Sequence, residues 1–479
     1  MTDRRPLVLV LTLVSAQLLV MLDSSILNVA LPSIAEDLTL SATGTAWILN
    51  AYYLSFGGLL LVSGRAADVF GRRRMFLVGA VVLALGSIVG AVAPNEAVLI
   101  AARVCQGAGA AMLSPAAMSV ILASFAGPAR ARTMSWWGAA STAGGALGVS
   151  VGGVLTGAFG WHSVMVVTAI VSCLVLAAGW AALPADDATT RRAFDGTGAA
   201  LLTVATVALV YAVLVIPQAG FVSVEALVAF AVAVAAASGF VLVERRAADP
   251  VLPLSALRDG RVAGGIVVNM LGGAARIACF AIVALLIQQV LEYDPAIAGL
   301  AMLPTSLAGF AVSTLLLPRV LNRLGPERVA LMGLGMLVAA HLLFATVRPG
   351  TPYAWGILPV LLLAATGVAF SFTPTTLVIA DGFAARRAGV SSGLASSTAQ
   401  IGGAVGIAVF GAVDAAARMS ALAAGEAGAS AARSGLSAAH VAAALMAAVA
   451  VVVAVWTWPA LRRRTNTPEI SPSAEPRPA

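Results

Sequence analysis

Long apolar runs, separated by short polar segments, fill almost the whole chain. Charged residues, prolines and glycines bound these runs, and each run is long enough to cross a bilayer as a helix, which takes about 20 apolar residues. The pattern therefore predicts an all-α polytopic membrane protein whose fourteen spans cover 7–31, 43–64, 75–93, 97–125, 133–158, 163–183, 196–216, 223–243, 261–290, 296–317, 329–347, 353–379, 388–413 and 437–458.

The arginines provide an independent test of this number of spans. All 28 basic residues are arginine, and 23 of them lie in segments that share one side when the N-terminus is placed in the cytoplasm. Arg348, Arg418 and Arg433 fall in loops on the opposite side. Cytoplasmic loops of membrane proteins carry such an excess of basic residues. We therefore expect a multi-pass protein of the cell membrane with both termini in the cytoplasm.

Composition excludes a soluble globular protein. Hydrophobic residues make up 60% of the 479 residues and charged residues only 10%, whereas soluble chains carry about 25% charged residues. In a soluble protein, the net charge of +7 would suggest a nucleic-acid partner. Here membrane topology explains the arginines, so we expect the lipid bilayer as a partner and no nucleic acid.

The segment that closes the second span recurs at the close of the tenth. Residues 64–74 and 318–328 share their spacing, with Asn322 in place of Asp68 and a glycine three positions later in both. Two six-helix halves with an extra helix pair between them explain this spacing, because many transporters are built from repeats. We predict an N-terminal half over 1–195, a linking pair over 196–245, a C-terminal half over 246–458 and a disordered cytoplasmic tail over 459–479.

Six short motifs follow one another along the chain. They lie at 22–32 (LDSSILNVALP), 64–74 (GRAADVFGRRR), 103–109 (RVCQGAG), 144–153 (GGALGVSVGG, with Val149 in place of a usual proline), 298–304 (AGLAMLP) and 400–406 (QIGGAVG). Together they resemble the motifs of the fourteen-span drug:proton antiporters of the major facilitator superfamily. The resemblance implies that family's fold of two six-helix halves plus a central helix pair. It also implies proton-coupled export of small amphipathic compounds, such as antibiotics or drugs, by a monomer that needs no cofactor.

Asp23 is the residue within the spans that most strongly indicates function. At 1.5 Å per residue it lies roughly 24 Å from the start of the first span, where a carboxylate is costly and usually functional. We predict that it faces the bundle interior and carries the coupled proton, although a role in helix packing stays open. Arg103 and Arg276 reach a comparable depth, so we expect a charge cluster that lines a central cavity, with Arg103 tuning Asp23. Asn28 and Gln106 are assigned to the same cavity.

The charges inside the spans also bear on the cargo. One clear acid, Asp23, stands against two arginines, Arg103 and Arg276. A buried lipophilic cation needs an opposing charge. This balance therefore predicts a small-molecule substrate that is neutral, zwitterionic or anionic.

The segment 64–74 is predicted to act as a conformational latch rather than as a binding site. Its glycines permit a tight turn, and an acid there can pair with arginines or with the N-terminus of a helix in the other half. Anchoring of the loop by arginines is the simpler alternative. The residues assigned to the latch are Gly64, Asp68, Gly71, Arg72 and Arg73.

A stripe of glycines runs along the fifth span. Gly144, Gly148 and Gly152 recur four residues apart, and Gly153 follows directly. Small residues at this spacing let two helices approach closely. We predict a tightly packed helix pair, which is either static or moves during alternating access.

Other functions compete with export. A metabolite or nutrient permease would use the same fold, and the sequence leaves this alternative open. A membrane-embedded enzyme needs clustered catalytic side chains, but His162, His341 and His440 are scattered along the chain and Asp23 stands nearly alone. No GxxxxGK[ST] motif for a nucleotide occurs, so we do not expect ATP to drive transport directly. We expect no enzyme and no metal site.

Overall fold

Helices form almost all of the structure. The computed structural model describes residues 5–186, 195–219, 223–247, 250–293, 295–384 and 387–458, so the predicted tail over 459–479 lies outside the described residues. Within them the chain forms no strands and fifteen α-helices: α1 (Arg5–Asp37), α2 (Ala42–Phe70), α3 (Arg72–Ala91), α4 (Glu96–Ser124), α5 (Gly127–Phe159), α6 (His162–Ala182), α7 (Gly196–Ala219), α8 (Val224–Glu244), α9 (Gly260–Gln289), α10 (Pro295–Ala311), α11 (Leu317–Leu324), α12 (Pro326–Ala345), α13 (Leu358–Asp381), α14 (Ala388–Ala423) and α15 (Gly428–Thr457).

All fourteen apolar runs coincide with helices. Thirteen helical segments of the described chain are long and apolar enough to cross a membrane. The fourteenth, α5, is as long as its neighbours, but glycines and hydroxyl residues dilute its apolar character. α10 and α11 form a single span, because a π-helical turn over Val312–Leu316 joins them. The predicted all-α membrane fold is therefore confirmed.

Several helices extend beyond the apolar runs that predict them. α14 continues to Ala423, well past the predicted end at 413, and α1 continues to Asp37, past 31. An apolar run reflects the thickness of the hydrocarbon layer, whereas a hydrogen-bonded helix can continue into the polar interface. Hydropathy therefore locates the spans but underestimates the lengths of the helices.

Glycines with a positive φ form the turns of the repeated segment. Gly71 (φ +106°) follows α2, and Gly325 (φ +78°) follows α11. Glycine adopts such a φ at little steric cost. The carboxylate oxygens of Asp186 accept hydrogen bonds from the backbone N–H groups of Arg73 (2.9 Å) and Arg74 (3.1 Å) and so cap the first turn of α3. Both copies of the segment therefore turn at their glycine.

Two groups of helices form the bundle, and the apolar core of the first group continues into residues such as Leu321 and Phe370 of the second. α1–α6 form the N-terminal group, in which α1 lies along α5 and α4 contacts both α2 and α3. α9–α15 form the C-terminal group, in which α9 contacts α13, α14 and α15. In lipid, close van der Waals packing holds such groups together, because the hydrocarbon is as apolar as the side chains. α7 and α8 pair with each other, and α7 also lies against α2 and α14.

The N-terminal and C-terminal groups contact each other through α2 and α4 against α14 and through α5 against α10, α11 and α13. Arg72, Arg73 and Arg74 lie where α2 meets α3, and we call this end of the molecule the arginine-rich end. Asp68, near the end of α2, and the first residues of α14 lie at the same end. Polar contacts between the two groups are therefore available there.

The glycine stripe of α5 lies directly against α1. A Cβ atom added at Gly148 would lie 2.8 Å from the carbonyl oxygen of Leu22, which is closer than real Cβ atoms approach. Gly144 and Gly152 are in similarly close contact with α1, whereas Gly153 leaves more space, 3.6 Å to the nearest atom. The close helix pair is thus α1 and α5, and both belong to the N-terminal group.

We expect Gly148→Ala to destabilise the protein, because the added methyl group must push α5 away from α1. Overpacking of this kind costs about 1–3 kcal/mol. Gly145→Ala is the matched control, since nothing lies within 4 Å of a Cβ atom added there, and alanine is about 1 kcal/mol more favourable than glycine inside a helix. Thermal unfolding of both purified variants measures the difference. Equal melting temperatures would contradict the close contact.

Candidate functional site

A buried charged network lies inside the N-terminal group. The side chains of Asp23 and Arg103 are 1% and 0% exposed, and Asp23 Oδ2 lies 3.3 Å from Arg103 Nη1. Gln106 Nε2 donates a hydrogen bond to Asp23 Oδ1 at 3.1 Å. α1 therefore supplies the acid, and α4 supplies both donors from positions three residues apart, which share one face of a helix.

Several groups hold Arg103 in place. Its Nη1 donates to Gln106 Oε1 (2.8 Å), and its Nε donates to the carbonyl oxygen of Ile48 (3.3 Å). The guanidinium lies over the ring of Tyr52, 4.3 Å from the centroid, which is a cation–π arrangement. Gln106 also donates to the Ser87 hydroxyl at 2.8 Å. Side chains and backbone from α1, α2, α3 and α4 thus position one ion pair.

The chemistry of this network depends on the charge of Asp23. Removing one partner of a buried ion pair leaves an uncompensated charge and costs about 3–5 kcal/mol. Protonation of the carboxylate removes its charge, so the acid tolerates separation from Arg103 once it holds a proton. The arrangement is therefore able to exchange a contact with arginine for a proton.

The expected cluster of three charges is not formed. Arg276 lies in the C-terminal group, where its Nη2 donates to the backbone carbonyl (3.2 Å) and the side-chain oxygen (3.1 Å) of Asn269. Its Nη1 lies 3.5 Å from the Ser371 hydroxyl. Equal depth along the membrane normal does not determine which face of a helix a side chain occupies. Here the charges also belong to helices of different groups.

The sequence predicts that two further residues, Asn28 and Gln106, lie in the cavity with Arg276. Gln106 is instead completely buried, and its amide oxygen and nitrogen are both hydrogen-bonded within the Asp23 network. The side chain of Asn28 lies outside the described residues, as does that of Val149. Gln106 therefore belongs with the ion pair rather than with a cavity surface.

Asp68 contacts the C-terminal group directly. Its carboxylate oxygens accept hydrogen bonds from the backbone N–H groups of Gly389 and Val390, each at 2.9 Å. These N–H groups belong to the N-terminus of α14, whose dipole favours an anion. Arg72 lies 3.4 Å from the same carboxylate. Gly64 permits the approach, because a Cβ atom there would collide with the backbone of Gly389.

Arg73 and Gly71 do not take part in this contact. Arg73 Nη2 donates to the carbonyl oxygen of Trp180 at 2.7 Å, and its guanidinium lies 5.4 Å from the centroid of the Trp180 ring. Gly71 is the turn residue and lies against Asp186. Both sets of contacts stay within the N-terminal group, because successive residues of a helix point in different directions. Arg73 therefore lies outside the contact with α14, which corrects its assignment to the latch, whereas Gly71 forms the tight turn that the sequence predicts.

A second link between the two helix groups is an ion pair that the sequence does not predict. Arg130 at the start of α5 lies 3.3 Å from Asp381 at the end of α13, and their side chains are 30% and 35% exposed. Arg261 lies 3.8 Å from the same carboxylate and 2.5 Å from Glu327. A pair this exposed contributes about 1 kcal/mol or less. No motif marks Arg130, so the link becomes visible only when the two groups are assembled.

The histidines are not all scattered in space, which corrects the expectation from the sequence. His341 of α12 and His440 of α15 are buried, and their Nδ1 atoms lie 3.1 Å apart. His341 Nε2 lies 3.0 Å from the carbonyl oxygen of Ala275. His341 follows Gly325 at the distance at which Ser87 follows Gly71, but this repeat does not indicate the contact with His440. Among the described residues, no group of three or more His, Cys, Asp or Glu side chains could hold a metal ion.

A groove of about 610 Å³ lies elsewhere, between α2, α7 and α8. Most of its lining is apolar, and its polar side chains are those of Thr203, Tyr211 and Glu225. None of the predicted site residues lines it. The groove is therefore separate from the charged network.

Comparison with known proteins identifies the family of the chain. A family model described as Major Facilitator Superfamily matches residues 13–407. The puromycin resistance protein pur8 of Streptomyces alboniger is 35% identical over 393 residues, which cover 79% of this chain and 76% of that protein. The cephamycin export protein CmcT of Amycolatopsis lactamdurans is 35% identical over 384 residues, which cover 79% of each chain.

Solved structures share the fold at low sequence identity. The human organic anion transporter MFSD10 has a TM-score of 0.68 at 17% identity, with coverage of 95% of this chain and 100% of that one. The fucose:proton symporter FucP of E. coli has a TM-score of 0.62 at 14% identity, with coverage of 94% and 98%. At these identities the likeness concerns the fold alone. With the family match and the relatives added, the chain belongs to the major facilitator superfamily of membrane transporters, and the resemblance of its motifs is confirmed.

Proposed function

We propose that this protein exports small amphipathic compounds, antibiotics or drugs among them, in exchange for protons. The buried network of Asp23, Arg103 and Gln106 carries the proposal, because it provides a protonatable acid whose charge is coupled to the positions of two helices. The names of the relatives, a puromycin resistance protein and a cephamycin export protein, support the export of antibiotics. Transport of this kind leaves the covalent bonds of the substrate unchanged, so the protein is not an enzyme in this proposal.

In the proposed mechanism, a proton and Arg103 compete for Asp23. While the ion pair is intact, the carboxylate is ionised and α1 is tied to α4. When these helices shift apart, uptake of a proton neutralises the carboxylate, while the guanidinium of Arg103 stays charged over the ring of Tyr52. Renewed pairing with Arg103 then expels the proton. Substrate drives this exchange only if it binds one arrangement more tightly than the other, because a ligand shifts an equilibrium through its differential affinity.

The two helix groups are the moving halves in this proposal, and α7 and α8 link them. The excess of arginine supports a cytoplasmic position for the arginine-rich end and for both termini. The contact of Asp68 with α14 and the Arg130–Asp381 pair then close the protein toward the cytoplasm. Both links have to break before a substrate can enter from that side.

A metabolite or nutrient permease is the alternative on the same fold. A susceptibility panel in a pump-deficient host separates the two functions, because an exporter raises resistance to at least one antibiotic. A panel that the intact protein leaves unchanged would favour the permease.

We expect Asp23→Asn to abolish substrate-driven proton movement, because asparagine preserves the size of the side chain but cannot carry the proton. Proteoliposomes loaded with a pH-sensitive dye measure this movement, with a compound chosen from the susceptibility panel. Asp37→Asn is the matched control on the same helix. Asp37 lies at the end of α1, where it accepts a hydrogen bond from Trp161 Nε1 (2.9 Å) outside the network.

Size-exclusion chromatography checks that both variants are folded. Asp37→Asn should keep proton movement at the intact rate. If Asp23→Asn keeps it as well, the proton carrier is another acid and the proposed mechanism is wrong.

We also expect Asp68→Asn to open the arginine-rich end, because the amide lacks the charge that favours the N-terminus of α14. A hydrogen bond to a charged group contributes about 1.5–3 kcal/mol, so the population of the open state should rise about tenfold or more. Spin labels at the exposed positions 74 and 323, one in each helix group, report the separation at this end in a cysteine-free background.

Asp186→Asn is the control for this measurement. It removes an acid from the same end, but the contacts of Asp186 with the first turn of α3 lie within the N-terminal group. Only Asp68→Asn should lengthen the distances between the labels. Identical distance distributions in Asp68→Asn and the intact protein would show that the contact holds no state closed.

A further inference from the structure

Arg276 is a buried cation without a carboxylate partner. It is 7% exposed, and its guanidinium contacts the oxygen atoms of Asn269 and Ser371. No Asp or Glu lies within ion-pair distance of it in the part of the chain that the structure describes. A buried charge is costly unless an opposite charge compensates it. Arg103 has Asp23 for this purpose, whereas the described residues provide Arg276 with no equivalent.

An aromatic ring connects Arg276 to the other half of the molecule. The guanidinium lies 5.4 Å from the centroid of the Phe372 ring. On the N-terminal side, Trp137 of α5 stacks on Phe372, with the centroids 5.8 Å apart and the planes at 17°. Trp137 is 2% exposed, and its indole N–H has no acceptor among the described residues. Arg276 of the C-terminal group and Trp137 of the N-terminal group therefore both contact the ring of Phe372.

The side chains of Arg276 and Trp137 share a requirement for a hydrogen-bond acceptor. Guanidinium and indole nitrogen atoms only donate hydrogen bonds, and the surrounding hydroxyl and amide groups carry no negative charge. A carboxylate accepts charge-assisted hydrogen bonds and offsets the cation at the same time. The faces of Phe372 and Trp137 favour a flat aromatic group next to that carboxylate.

We propose that Arg276, Phe372 and Trp137 form a subsite that binds the carboxylate and the adjoining aromatic group of an amphipathic acid. The subsite rests on the proposed export function and narrows its cargo to anionic compounds. Because both halves contribute to it, its ligand loses contacts on one side when the halves move. The ligand thus lies between the two halves, whose relative movement produces alternating access.

The probes for this subsite are 1-naphthoate and 1-naphthamide, which share their ring system and approximate shape and differ in charge. Calorimetric titration of the purified protein in lipid nanodiscs measures both affinities. The intact protein should bind naphthoate about tenfold more tightly than naphthamide, the factor expected for a hydrogen-bonded charge pair.

Variants assign the preference to particular side chains. Arg276→Gln should remove the preference for naphthoate, and Arg276→Lys should retain part of it, because the charge remains. Trp137→Phe keeps the stacked ring but removes the N–H group, so it should weaken naphthoate about threefold and naphthamide less, because only the bond to the carboxylate is charge-assisted. Arg433→Gln is the control, since it neutralises an arginine of the same helix group that donates to Val347 instead.

Equal affinities of the intact protein for the two probes would overturn the subsite, and so would an unchanged preference in Arg276→Gln. Thermal unfolding identifies any variant that does not fold. If Arg276→Gln does not fold, Trp137→Phe decides, because loss of the N–H group must weaken naphthoate more than naphthamide. Binding is measured without a proton gradient, so failure of proton exchange leaves this test intact. Conversely, an exporter of neutral compounds that shows no preference for naphthoate would overturn the subsite alone.

Discussion

An ionised carboxylate inside a membrane bundle has to be compensated, and the N-terminal group is arranged around this requirement at Asp23. Arg103 provides the opposite charge, Gln106 provides a second donor, and the ring of Tyr52 covers the guanidinium. Both donors come from α4, so α1 and α4 keep a defined separation while the pair is intact. On its other side, α1 rests on the glycines of α5 at backbone distance. A change in the charge of Asp23 therefore acts directly on the contact between α1 and α4. Because α1 also packs closely against α5, it has little room to move by itself.

The two halves are built alike but carry different chemistry. Asn322 takes the place of Asp68 in the repeated segment, and His341 takes the place of Ser87. In the N-terminal group, Asp23 is paired with Arg103. In the C-terminal group, Arg276 contacts Asn269 and has no acidic partner among the described residues. In our proposals, the proton therefore acts in one half and the charge of the substrate acts in the other. The contacts of α2 with α14 and of α5 with α13 connect the two events.

The sequence predicts the spans well because hydropathy and the positive-inside rule both depend on where the chain leaves the hydrocarbon layer. Hydropathy marks the apolar segment, and the arginines mark the loops on one side. α5 shows the limit, since glycines that serve helix packing also lower its apolar character. The sequence allows the Asp68 contact to be anticipated, because an acid next to a helix N-terminus is a local electrostatic preference. Depth along a helix was a poor guide to Arg276, because it carries no information on rotation or on the partner helix. The His341–His440 contact joins residues 99 positions apart, and no local pattern announces it.

The protonation of Asp23 is most directly measured by infrared difference spectroscopy of the reconstituted protein. A protonated carboxyl group has a C=O band that the ionised carboxylate lacks. If Asp23 carries the proton, this band should change when an exported compound is added, in the intact protein and in Asp37→Asn, and the change should be absent from Asp23→Asn. A substrate-induced change that persists in Asp23→Asn, or no change in the intact protein, would contradict the role of Asp23 as the proton carrier.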